Sequence, residues 1–160
     1  MSSEQITSRE IAEKNVISYI DDVINGQNYE LLNDIMVEEC DVIGKDIIMT
    51  PDKQQDYLQR MHSAFPDFEV TLEDFWFDET SEMAFFRFIM SGTFENELII
   101  NTDDDEKLTF EPTGKSFSIE GIDYGRHGSD GRVVAFGGLI EELDLFIDTG
   151  IIPELSEFAA

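Results

Sequence analysis

The chain predicts an α+β fold in which N-terminal helices pack on a strongly curved antiparallel β-sheet. Apolar residues recur at helical spacing as far as Phe65. From Phe68 onward, runs rich in aromatic and β-branched residues alternate with turn residues, as antiparallel strands do. No repeat and no Gly- or Pro-rich linker interrupts the chain, so residues 1–160 read as a single domain.

The first helix opens on Thr7 and Glu10, which have capping-box spacing, and carries Ala12, Val16, Tyr19, Ile20 and Val23. Gly26 is its natural stop. Asn28 can cap a shorter second helix bearing Leu31, Leu32, Ile35 and Met36. Thr50 followed by Pro51 reads as an N-cap with proline at the first helical position. That third helix puts Leu58, Met61, His62 and Phe65 on one stripe, and Pro66 ends it.

Residues 68–78 and 83–94 predict a pair of strands around the turn Asp78-Glu79-Thr80-Ser81-Glu82. The polar stretch 101–107, with its run of acids from Asp103 to Glu106, predicts an exposed loop. Residues 116–126 and 132–141 predict the next two strands, joined through Ser129, Asp130 and Gly131, with His127 in the turn region. A short helix follows from Glu142.

Composition narrows the function. With 41% hydrophobic residues and 13 phenylalanines, the chain can bury a substantial core. No apolar run approaches the ~20 residues that span a bilayer. The N-terminus lacks the basic start and apolar centre of a secretory signal, and the single cysteine, Cys40, excludes an intramolecular disulfide; both point to a reducing cytoplasm. There are 36 acids against 10 bases, a formal net charge of −26. Such a surface repels phosphate backbones and anionic membranes. Molar salt, where the Debye length shrinks to ~3 Å, would screen the self-repulsion. The charge therefore points to a halophilic host, with an acidic protein of an ordinary cytoplasm as the alternative.

Strand alternation sorts the acids. In 116–124 the odd face carries Phe117, Ile119 and Gly121 and ends on Asp123. In 132–141 both faces are apolar, so parity leaves the direction of Glu141 open. A carboxylate at the rim of an apolar pocket has a raised pKa and can act as general acid or base near neutrality. Glu141 is either such a group or the acid that starts the last helix. Asp123 is either catalytic or a hydrogen-bonding residue of the turn region. His62 faces the pocket or the core. Small residues at Ala135, Gly137 and Gly138 leave room for a ligand or let the sheet bend.

Tyr19, Met61, Phe65, Trp76, Phe88, Met90 and Phe94 are candidates for the pocket lining, Trp76 because a buried indole seeks a polar partner. There is no nucleophile elbow, phosphate loop or HExxH helix, and two histidines make a weak case for a metal.

The order of AFPDF (64–68), SGT (91–93), PTGKSFSIEGIDY (112–124) and DGRVV (130–134) resembles the SnoaL-like polyketide cyclases of the NTF2-like superfamily, over roughly residues 11–150. The resemblance implies a cone of helices over a curved sheet, a homodimer formed through that sheet, and a pocket for a small hydrophobic molecule. It also implies ring closure by intramolecular aldol chemistry without metal or cofactor. Glu141 matches the family's acid, typically Asp, at the end of the last strand. Phe94 stands where a histidine is common, and residues 135–140 lack the family's tryptophan and histidine. A non-catalytic module that binds a hydrophobic ligand, or only dimerises, is the competing expectation.

Overall fold

The computed structural model describes residues 7–101 and 106–152. Helix α1 (Ser8–Ser18) starts on the expected capping box, with Glu10 N donating to Thr7 Oγ1 and Thr7 N donating to Glu10 Oε2. It runs on as a π-helical segment, Tyr19–Asn25, and stops at Gly26. A Cβ at Gly26 would stand 2.6 Å from the carbonyl oxygen of Asp22, so the cap position has room only for glycine. Helix α3 (Pro51–Ala64) is capped by Thr50 as its sequence dictates.

Between them the expectation was incomplete. The second helix shrinks to a 3₁₀ turn (Tyr29–Leu31) and one α turn, α2 (Leu32–Ile35). Met36 already belongs to strand β1 (Met36–Val42), followed by β2 (Ile48–Met49). Strand β1 escapes pattern reading because Glu38, Glu39 and Asp41 interrupt its apolar alternation.

Strands β3 (Glu69–Asp78), β4 (Met83–Thr93), β7 (Ser116–His127) and β8 (Val133–Ile140) fall where the alternation predicts. The first large sheet has the order β2-β1-β8-β7-β4-β3. All its pairs are antiparallel except β1 with β8, which run parallel. Strands β5 (Leu98–Asn101) and β6 (Lys107–Phe110) form a separate hairpin, so the ends of the expected loop are paired; residues 102–105, including Asp103 to Asp105, lie outside the described residues. Helix α4 (Glu142–Asp148) closes the described chain. Among the described residues no helix is long and apolar enough to cross a membrane.

Register irregularities in the β1–β8, β3–β4 and β7–β8 pairs bend the sheet around the helices. One end of the interior is solid. Phe65 stacks against Phe94 and Phe117 at 5.3 and 5.1 Å between ring centres. A Cβ on Gly92 would come within 3.1 Å of both Phe65 and Phe117. The other end is hollow.

Candidate active site

The hollow end is a cavity of about 400 Å³ between α1, α3 and the inner faces of β4, β7 and β8. Ile20, Ile24, Leu58, Val70, Phe86 and Phe88 make most of its wall apolar. Residues with polar side chains among the lining include Asn15, Tyr19, Lys45, Gln54, Tyr57, Asp123, Tyr124, His127 and Glu142.

Asp123 arrives on the odd face of β7, as alternation predicts, and pairs across the sheet with Gly138 of β8. A Cβ on Gly138 would collide with the Asp123 carboxylate, so the glycine provides the space in which that carboxylate sits. Among the described residues no hydrogen bond to it is formed. Desolvation alone pushes its pKa up to about 7.

Two phenols share its field. Tyr19 Oη accepts a hydrogen bond from Gln54 Nε2 at 2.6 Å, which leaves the Tyr19 hydroxyl proton free to be donated elsewhere. Burial first, then the charge of Asp123, raises the Tyr19 pKa, so the phenol stays protonated. Tyr57, one turn along α3 from Gln54, is raised by desolvation and then by Asp123 and Glu142. A partly desolvated base beside protonated hydroxyls can remove a proton from carbon and stabilise the resulting enolate.

The other expected site residues distribute differently. Tyr19, Phe88 and Met90 line the cavity. Met61, Phe65 and Phe94 do not; they belong to the solid end of the core. His62 is held outside the cavity, its Nε2 2.9 Å from the carbonyl oxygen of Ile24 and its ring edge-on to Phe68. With a carbonyl as partner, Nε2 is the donor.

Trp76 is 51% exposed on the outer face of the sheet. The cause is the irregularity between Leu72 and Asp74: Glu73 is an extra residue there, and it reverses which side chains of β3 point inward. Glu141 sits at the N-cap of α4, exposed, and its carboxylate accepts from Glu120 N at 3.1 Å. It is not part of the cavity wall.

Gln54, Tyr57 and His127 were not singled out as pocket residues by pattern reading. Gln54 had a readable signal, since it shares the spacing of Pro51, Leu58 and Met61 on the buried face of α3. His127 had one too. Extending β7 by one residue carries the odd face from Asp123 through Gly125 to His127, so it is a buried strand residue and not a turn residue. Among the described residues no group of three or more metal-ligating side chains converges.

No protein-family model matches the sequence. No curated protein matches it either. Solved structures do match in shape. TsrD from Streptomyces laurentii superposes with a TM-score of 0.70 at 16% identity, over 91% of this chain and 96% of its own. A protein from Jannaschia sp. CCS1, assigned to the SnoaL-like polyketide cyclases, gives 0.71 at 10% identity, over 95% and 100%. AclR from Streptomyces galilaeus, assigned as a hydroxylase, gives 0.69 at 14% identity, over 91% and 99%. The fold is that of the SnoaL-like, NTF2-like proteins, and at these identities the likeness concerns the fold alone.

Proposed function

We propose that the chain binds a small hydrophobic carbonyl compound in this cavity and acts on it as a cofactor-free cyclase or isomerase, with Asp123 as the base. The observation that carries the reading is a carboxylate on an apolar cavity wall with its pKa raised to about 7. Near neutrality about half of such groups are ionised and able to accept a proton, and the conjugate acid is equally ready to return it.

The steps follow from the wall. Asp123 takes a proton from the carbon next to the substrate carbonyl, becoming a neutral acid. The enolate oxygen accepts from Tyr19 Oη, which Gln54 holds in place. The enolate carbon then attacks a second carbonyl of the same molecule, or is reprotonated at another position. Asp123 gives its proton back to the product. Glu141, the position implied by the family resemblance, is assigned no part in this chemistry, because its carboxylate lies against Glu120 N.

Deuterium exchange at the α-carbon of 2-tetralone in D₂O reports proton abstraction directly, whatever the natural substrate. Exchange faster than in protein-free buffer is expected from the native chain, with a loss of about 100-fold in Asp123→Asn and about tenfold in Tyr19→Phe. Glu141→Gln should retain it. Exchange that survives Asp123→Asn, or fails only in Glu141→Gln, overturns the assignment.

The second reading is a non-catalytic module for a hydrophobic ligand. It is favoured by the predominantly apolar wall and by Phe94 in place of a histidine. Tight binding of 2-tetralone with no accelerated exchange selects it. In either reading we take the working unit to be a homodimer formed through the outer face of the sheet, in a reducing, salt-rich cytoplasm. The supports are an outer face bearing Trp76, Phe85, Ile122 and Leu139, a single buried cysteine, Cys40, and the net charge of −26.

A further inference from the structure

The cavity holds a second buried polar group that this chemistry does not use. His127 ends β7 four residues after Asp123, on the same face of the strand. It is 7% exposed, it lines the cavity, and neither Nδ1 nor Nε2 has a hydrogen-bond partner. Folded proteins seldom leave a buried imidazole wholly unpaired. Phe77 lies with its ring centre 6.5 Å away, and the backbones of Gly125 and Glu82 act on the ring without reaching either nitrogen in hydrogen-bond geometry.

The two polar groups mark different ends. Around Asp123 the lining residues Tyr57, Gly138 and Glu142 are exposed, so this end opens to solvent. His127 lies at the other end, toward the β7–β8 turn, where Asn15 Nδ2 of α1 donates to the carbonyl oxygen of Gly131. Four residues of strand separate them by roughly 13 Å. Gly125 stands midway, and its missing side chain keeps the floor between them clear.

We propose that His127 is a specificity-determining residue that reads the far end of the ligand. The ligand it selects is an elongated apolar molecule with a neutral hydroxyl or carbonyl at the end opposite the carbonyl handled at Asp123. A neutral imidazole offers one donor and one acceptor, the complement of a hydroxyl, and half of that pair satisfies a carbonyl. Desolvation lowers the His127 pKa and so favours this neutral form. A carboxylate or phosphate is disfavoured there, because the neutral ring supplies no charge and Glu82 acts on it electrostatically. The inference rests on the reading of the cavity as a site for a hydrophobic small molecule, and it extends that reading to the ligand's second polar group.

The test compares 2-naphthol with naphthalene, two probes of equal shape that differ by one hydroxyl, on the native protein and on His127→Phe. The ratio of their affinities is expected to fall about tenfold in the variant, the size of a lost hydrogen bond to a buried group. The variant should melt at or above the native temperature, because phenylalanine replaces a ring whose nitrogens are unpaired in the free protein. In the native protein, 2-naphthol should shift the His127 ring ¹⁵N resonances and naphthalene should not.

An unchanged affinity ratio, or ring nitrogens indifferent to 2-naphthol, overturns the assignment of His127. If the ratio is unchanged while 2-tetralone exchange still depends on Asp123, the His127 inference falls alone. If exchange is absent while the ratio falls, the catalytic reading falls and His127 stands. Binding of neither probe removes both.

Discussion

The Asp123 carboxylate occupies the space that a side chain on Gly138 would fill, directly across the β7–β8 pair. The neighbouring Gly137 serves the opposite face, where a Cβ would stand 2.7 Å from Tyr124 Oη. The adjacent glycines of β8 are therefore two clearances, one on each side of the sheet, and the acid on the cavity wall depends on the inner one.

Gly138→Ala should accordingly displace the carboxylate while leaving the backbone conformation allowed. We expect 2-tetralone exchange to fall at least about tenfold, with overpacking costing roughly 1–3 kcal/mol in chemical denaturation. Unchanged exchange would mean that Asp123 can work from another rotamer.

The raised pKa of Asp123 makes stability depend on pH in a stated direction. The folded state holds this proton more tightly than the unfolded chain, so the contribution is fully present below the ordinary value of 3.8. It fades as pH rises and is lost above about 7. Full conversion of the shift gives about 4 kcal/mol. The half-buried carboxylate retains part of its hydration, so about 2 kcal/mol is expected. Asp123→Asn should gain on the native protein by that amount between pH 4 and pH 8, measured by urea unfolding. A constant difference across the range would show that the carboxylate is not desolvated.

Proton abstraction needs the ionised acid, so the exchange rate should rise with pH through an apparent pKa near 7 and then level. A rise centred near 4 would assign the base to an ordinary exposed carboxylate.

The outer face of the sheet carries Trp76 beside Phe85 and Tyr124, and Ile122 beside Leu139, across four adjacent strands. Leu139 is 75% exposed. Arg87 sits in the same face, paired with Asp74 at 2.7 Å and with Glu120. Leu139→Lys should shift the chain from dimer to monomer in light scattering, since it places an unpaired charge in an apolar contact. An unaltered mass would place the dimer contact elsewhere or show a monomer.

Raising NaCl from 0.1 to 2 M should stabilise the fold by screening a net charge of −26. Relief of about 3 kcal/mol corresponds to a rise in Tm of roughly 6–12 °C. Full stability in dilute buffer, with no response to salt, counts against adaptation to a saline cytoplasm.

Local chemistry made much of this architecture readable in advance. The Thr7 capping box, Gly26, Thr50-Pro51 and the alternation of 116–124 each act through near neighbours, and each element forms where those residues put it. Asp123 was readable for the same reason, because period-two alternation places it with Phe117 and Ile119. What lay beyond reach depends on partners distant in the chain. Strand β1 exists because β8 offers it a parallel edge, not because its own sequence alternates. Trp76 faces outward because one extra residue in β3 reverses the face of everything after it. Which of Asp123 and Glu141 faces the cavity was likewise tertiary. Gly138 makes room for one carboxylate inside the cone, and the backbone of Glu120 holds the other outside it. Short-range sterics and hydrogen bonding are written into neighbouring residues; desolvation, which gives an acid its chemistry, is set by whatever the fold brings around it.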